Sequence, residues 1–308
     1  MRPSAAYALF LALVLVVACT PGQPPVSEGG MDIHFCEIAD CDGLLVNLTR
    51  DASHVACAFY GLDDDRVRRT LSERAAHLVM DDHDPLPGAT VVGREGLMHH
   101  KFCVINRSLV VTGSHNPGQE DAYNNMVVIR SPPLAERFLS VHEAAGDGHA
   151  PRDGRVLFLH DGHLIEAYAC PHDACRERIT GSLAAAEESV AFALFTFTDK
   201  GIASLLAEKH REGVDVWGVI ESFQADRYNQ YYALAAEGVP VLLEGSPALQ
   251  HNKVFVIDDK TVITGSYNPT RSAASRNDEN VLIIHDRRVA GIYKAALRRI
   301  YKDTQNFK

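Results

Sequence analysis

This sequence has no surplus of positive charge: 30 Lys and Arg stand against 40 Asp and Glu, for a formal net charge of −10 over 308 residues. Proteins that hold nucleic acid without sequence preference are basic, at least on one face. Neither of the polar motifs described below is flanked by a Lys/Arg-rich, aromatic-interleaved stretch. A nucleic-acid partner therefore starts at a disadvantage. Long apolar runs are missing except at the head, where residues 5–18 are uncharged but too short for a membrane span. Zinc-type spacing is missing too. Cys36 and Cys41, and Cys170 and Cys175, form two C-x4-C pairs, with no His or Cys pair of suitable spacing beside either. In an exported chain such pairs read first as local disulfides, Cys36–Cys41 and Cys170–Cys175. Cys57 and Cys103 lie in apolar, strand-like runs, where buried free thiols are the default and a bridge between them is the alternative.

What is present begins with the head. "VVAC" after the apolar run resembles a bacterial lipoprotein signal: residues 1–19 are a signal segment, and Cys19 is lipidated to become the new N-terminus. An ordinary signal peptide is the alternative. "TPGQPPVSEGG", residues 20–30, reads as a flexible tether. Together these place the protein on the periplasmic or cell-surface side, anchored to a membrane. The remaining chain, 46% apolar overall, is long enough for a sizeable core.

The chain is also a duplication. "HHKFCVINRSLVVTGSHN" (99–116) repeats as "HNKVFVIDDKTVITGSYN" (251–268), each reading His-x-Lys, four residues, Asn or Asp, six residues, Gly-Ser-x-Asn. Upstream of each copy run an apolar strand, C-x4-C, an amphipathic helix and a strand, "HVACAFY" or "SVAFALF", then a second helix and a further strand. The clearer second helix, "DKGIASLLAEKHREG", carries Ile202, Leu205 and Leu206 on one face and stops at Gly213. Alternating strands and helices give an α/β class. The join lies near residues 146–154, so the halves are 31–150 and 151–308. Two halves of common ancestry would pack about a pseudo-twofold axis and bring the two motifs face to face as one monomeric pseudo-dimer, with no obligatory protein partner.

In each motif the run after Lys101 or Lys253 is a buried strand, and a turn returns it as a hairpin. Asn106 and Asp258 fall at that turn, seven residues and roughly 20 Å from the histidine of their own motif, so they are structural and interchangeable. Period-two alternation puts His99 with Lys101, and His251 with Lys253, on one face. Gly113, Ser114 and Asn116, or Gly265, Ser266 and Asn268, return beside them. The expectation is a phosphate-sized oxyanion held by two lysines, with Ser114, Asn116, Ser266 and Asn268 as further phosphate-binding groups. Two histidines suit a two-step displacement in which one attacks and the other protonates the leaving group. No metal and no cofactor is required, because the lysines supply the positive charge.

These residues resemble the signature of the phospholipase D superfamily, and the pattern extends over most of residues 31–305. The resemblance implies two mixed β-sheets flanked by helices, an active site at the pseudo-dimer interface, a phosphohistidine intermediate and independence from metal. It also implies a downstream acidic residue that orients the histidine. "RNDENVLII" supplies Glu279 in the second half, followed by Asn280, whereas "AYNNMVVI" puts Asn124 in the first. An amide stabilises imidazolium less than a carboxylate does, so the two histidines are unequal. Family usage makes His99 the nucleophile and His251 the acid.

For substrate, export and a lipid anchor favour a phospholipid at a membrane surface, cleaved to phosphatidate and a head-group alcohol. An exported metal-independent endonuclease is the alternative. Its one candidate basic patch, "HDRRVAGIYKAALRRIYK", reads better as the solvated face of a terminal helix. A third reading, a lipoprotein that binds a phosphate ligand without turnover, would predict loss of a motif His or Lys. None is lost.

Overall fold

Two twisted sheets, one from each half, carry the molecule. A computed structural model describes residues 24–74, 76–93, 95–119, 122–149, 151 and 154–307. The signal segment, Cys19 and the first residues of the tether lie outside them. Among the described residues, no helix is long and apolar enough to cross a membrane.

In the first half a seven-stranded sheet is ordered Met31–Phe35, Asn125–Arg130, Leu109–Gly113, Lys101–Ile105, Val55–Phe59, His77–Asp81, Thr90–Val92. The last three run parallel, the first two of them joined by a helical crossover, and the rest are antiparallel. The second half repeats this order as His163–Cys170, Glu279–Ile284, Thr261–Gly265, Lys253–Ile257, Ser189–Leu194, Asp215–Glu221, Val241–Glu244. It extends beyond the first of these with Val156–His160 and Val26–Ser27.

Helices α1 (Cys41–Arg50) and α2 (Asp65–Glu73) cover the outer face of the first sheet. α4 (Cys175–Ala184), α5 (Lys200–Arg211) and α6 (Tyr231–Ala236) cover the outer face of the second. α3 (Pro132–Asp147) and the terminal α8 (Arg287–Asn306) pack into the shared core between the sheets, with the short α7 (Arg271–Ser275) beside the second motif. Side-chain caps from Asp40, Asp64, Ser131, Asp199, Thr270 and Asp286 start six of these helices. Strand sequences such as "VACAF" and "SVAFAL" read as unbroken apolar runs because both of their faces are buried, one on helices and one on the other half.

Two sequence expectations need correction here. Residues 20–30 are not a free tether throughout. Val26–Ser27 joins the second-half sheet parallel to Leu159–His160, and Ser27 Oγ bonds His160 Nδ1 at 2.9 Å. Backbone pairing overrides the Pro- and Gly-rich composition on either side. Cys57 and Cys103 are not free thiols either. They stand opposite one another on adjacent antiparallel strands, with Cα atoms 4.0 Å apart, and are bridged. The local pairs Cys36–Cys41 and Cys170–Cys175 are disulfides.

Candidate active site

Each hairpin turns where its motif has Asn or Asp. Asn106 and Arg107, like Asp258 and Asp259, hold positive φ between 49° and 55°, a conformation Asn and Asp tolerate better than most residues. Asn106 Oδ1 accepts the N–H groups of Ser53 and His54. Asp258 accepts those of Glu187, Glu188 and Ser189. These side chains tie the turn to the start of the neighbouring strand, at the far end of the sheet from the histidines. At the near end, Gly113 (φ 145°) and Gly265 (φ 140°) lie against the carbonyls of Asn125 and Asn280. A Cβ there would come within 2.2 and 2.1 Å of those oxygens, so only glycine fits.

The two motifs meet between the sheets, and their partners cross. His99 Nδ1 is 2.7 Å from Glu279 Oε2 of the other half. His251 Nδ1 is 2.9 Å from Asn124 Oδ1, again across the interface. Glu279 and Asn124 thus serve the histidine of the opposite half, not that of their own. The cause is backbone pairing. Met98 bridges Asp278, and His99 N–H donates to the Asp278 carbonyl. Symmetrically, Leu249–Gln250 pairs with Ala122–Tyr123, and His251 N–H donates to the Tyr123 carbonyl. The residue just before each acceptor is thus laddered to the opposite histidine.

A correction concerns the serines. Ser114 and Ser266 are fully buried. The Ser114 hydroxyl donates to Asn124 Oδ1 at 2.9 Å, and that of Ser266 to Glu279 Oε2 at 2.6 Å. Each also accepts a backbone N–H, from Asn125 or Asn280. A hydroxyl has one proton, and here it fixes the acceptor that fixes the histidine. The serines hold the acceptors that hold the histidines. Asn268 is half-buried, its Oδ1 accepting the Thr196 N–H at 3.3 Å. Asn116 is buried and donates to Gln119. Asn280 donates to Thr112 across the interface at 2.9 Å, and Asn125 to Asn252 at 2.8 Å, so the halves are stitched by buried amides around the histidines.

The lysines follow the same symmetry. Lys101 Nζ donates to its own His99 carbonyl and sits 5.3 Å from the Tyr60 ring centre. Lys253 Nζ donates to the His251 carbonyl and sits 4.9 Å from Phe195. Tyr60 and Phe195 also meet the imidazoles edge-on, at 5.0 and 4.8 Å. These two rings were not singled out from the sequence, yet a signal existed: they are the last aligned position of "HVACAFY" and "SVAFALF".

All four basic groups are almost wholly buried: His99 is 6% exposed, His251 4%, Lys101 1% and Lys253 3%. Burial dominates their titration. It lowers Lys101 to about 7, with Glu279 and Asp81 opposing. It pushes Lys253 well below the usual lysine value, reinforced by Lys101. His99 is lowered by burial and by Lys101, with Glu279 pulling the other way. His251 is driven further down by burial, Lys253 and Lys101, and no carboxylate touches it. Each imidazole has Nδ1 bonded to an acceptor of the other half and Nε2 left without a protein partner. A bound oxyanion would draw protons back to the lysines.

The lysines and arginines of 285–302 lie on α8. Lys294 pairs with Asp259, Arg299 with Glu37 and Arg288 with Asp286, as a solvated, ion-paired helix face would.

Residues 179–301 match the family described as "Cardiolipin synthase, PLD-like domain". The chain is 36% identical over 124 residues to a phospholipase D from Rickettsia prowazekii, covering 40% of this chain. That alignment spans 60% of the Rickettsia protein's own length. The chain is 32% identical over 143 residues to the mitochondrial cardiolipin hydrolase of Xenopus laevis, covering 44% of this chain and 68% of that one. In three dimensions it resembles a phosphatidylserine synthase from Haemophilus influenzae, with a TM-score of 0.66 and 11% identity. That likeness covers 89% of this chain and 86% of the other, so it takes in both halves.

Proposed function

Since the chain belongs to the phospholipase D superfamily, we propose that it is a metal-independent hydrolase of phospholipid diesters, releasing a head-group alcohol and leaving phosphatidate. The observation that carries this reading is the pair of buried imidazoles, each held at Nδ1 by an acceptor from the opposite half and each leaving Nε2 free. Lys101 and Lys253 beside them neutralise the diester oxygens.

The unequal acceptors favour one assignment of the roles. The Glu279 carboxylate stabilises the cation that forms on His99, which makes His99 the nucleophile. Asn124 offers only a neutral amide, so the His251 imidazolium gives up its proton readily and serves as the acid. His99 Nε2 attacks phosphorus. The bond to the head-group oxygen breaks with its electron pair, and that oxygen takes the proton of His251. Neutral His251 then removes a proton from water, whose oxygen attacks phosphorus and expels His99. Asn116 and Asn268 remain as further phosphate contacts, whereas Ser114 and Ser266 position the acceptors.

The acidic balance of the chain and the ion pairing of Arg288, Lys294 and Arg299 on α8 favour lipid over nucleic acid. The lipoprotein anchor at Cys19 and export remain part of the proposal. The test is head-group release from phosphatidylcholine and phosphatidylethanolamine vesicles in EDTA, alongside cleavage of single- and double-stranded DNA. Release from vesicles that is lost in His251→Ala supports the reading. DNA cleavage alone, with the same dependence, replaces it with an endonuclease.

A further inference from the structure

The duplication puts equivalent residues on the two rims of the site, and one rim is out of character. Asp81 ends its strand and accepts the Met98 N–H at 2.9 Å; Glu221 ends the matching strand and accepts the Gln250 N–H at 2.7 Å. Met98 and Gln250 directly precede His99 and His251, so both carboxylates mark the same place in each half. Two residues further on stand His83 and Phe223. His83 lies on the Tyr60 ring at 4.5 Å, and Tyr60 in turn meets His99. Phe223 is 82% exposed.

The segment that carries Phe223 is rich in exposed aromatics and is held firmly. Tyr228 is 56% exposed, with Arg227 over its ring at 4.7 Å, and Tyr232 on the first turn of α6 is 57% exposed. Asp226 Oδ1 accepts the N–H groups of Tyr228 and Asn229, and Asn229 Nδ2 donates to the Gln224 carbonyl. Gln224 Oε1 accepts the Thr196 hydroxyl, and Thr196 N–H donates to Asn268 of the motif. The aromatics are therefore fixed relative to the catalytic groups.

We propose that residues 222–232 form a lipid-docking rim, in which Phe223 enters the acyl boundary of a bilayer while Tyr228, Tyr232 and Arg227 settle at head-group level. This rests on the phospholipid reading above and names how the buried site meets its substrate. A phenyl ring at the tip and amphipathic tyrosines behind it match the polarity gradient of a membrane interface. Single-stranded nucleic acid stacking on the same rings would need a cationic track. Arg227 is the one cation of residues 222–232, with Asp226 beside it.

The test uses the chain carrying Cys19→Ser, so that no acyl anchor contributes, and vesicles of phosphatidylethanolamine and phosphatidylglycerol. The wild-type loop should sediment with vesicles, and Phe223→Ser with Tyr228→Ser should lower the bound fraction at least tenfold. Turnover of a soluble nitrophenyl phosphodiester should stay within twofold, showing an intact fold and site. Vesicle binding by the double variant equal to that of the parent overturns the proposal, as does a parent that does not bind. Loss of single-stranded DNA retention with vesicle binding unchanged overturns it in favour of a nucleic acid. Binding that depends on the loop, without head-group release, keeps the lipid rim and refutes the phospholipase reading.

Discussion

The two halves share a backbone plan and differ in what fills it. Where the first half bridges adjacent strands with Cys57–Cys103, the second sets Phe192 against Phe255 in the matching ladder position, their rings 6.2 Å apart. Tyr60 becomes Phe195, His83 becomes Phe223, and Asn124 becomes Glu279. The His, Lys, Gly, Ser and Asn of the motifs do not change. Duplication has thus kept the groups at the reaction centre and let their surroundings diverge. Because Glu279 reaches across to His99 and Asn124 to His251, neither half holds a histidine–acceptor pair of its own, and the divergence makes the two pairs unequal.

The strongest break in that symmetry is removal of either imidazole. His99→Ala and His251→Ala should each lower steady-state hydrolysis of a phospholipid by at least about 10³-fold. Substantial activity in either variant would refute a two-histidine mechanism.

The acceptors come next. Glu279→Gln should cost about 10- to 100-fold in kcat, by analogy with lost carboxylate–histidine support elsewhere. Asn124→Asp should raise the His251 pKa and move the alkaline limb of the kcat profile upward. If Glu279→Gln instead altered only the step assigned to His251, the crossed pairing would be wrong.

The pH profile of kcat/KM sharpens the comparison without mutation. His99 must be neutral to attack, and its pKa is lowered by burial, so the acid limb should fall below the ordinary histidine value of about 6.5. His251 must carry a proton to act as the acid and Lys101 must be charged to hold the diester; burial lowers both, His251 well below its ordinary value and Lys101 to about 7, so activity should already be falling as pH rises towards neutrality. Binding of inorganic phosphate above pH 7 should take up protons, measurable by calorimetry in buffers of different ionisation enthalpy.

Stability separates the halves too. The Cys57–Cys103 bridge closes a separation of 46 residues. Replacing both by Ala should cost up to about 4 kcal/mol in denaturant unfolding. The smallest effect is expected at the turn. Asn106→Asp should shift stability by less than about 0.5 kcal/mol and leave turnover unchanged, since Asp258 fills the same role in the second half.

How far the sequence could be read follows from range. The hairpins, the turn role of Asn106 and Asp258, and the placement of each His with its Lys are local consequences of period two and turn chemistry. The repeat suggested two α/β halves set face to face, and the two-sheet plan was what the resemblance to the phospholipase D superfamily implied. What escaped were long-range choices. His99 and Glu279 are 180 residues apart, and a repeated sequence invites pairing within each repeat. The serines looked like phosphate ligands because their spacing places them beside the histidines, but only the fold shows where a hydroxyl points. The Cys57–Cys103 bridge depends on which strands become neighbours, and the pairing of Val26–Ser27 on an edge strand supplied from 130 residues away.

The most direct measurement of the crossed, unequal site is a burst experiment with a phosphodiester whose nitrophenolate leaving group needs no acid. In His251→Ala, His99 should still attack and release one equivalent of nitrophenolate per enzyme, and turnover should then stall, because nothing activates the water that cleaves the phosphohistidine. His99→Ala should give no burst. A stoichiometric burst in His99→Ala, with none in His251→Ala, would contradict the assignment of the two histidines.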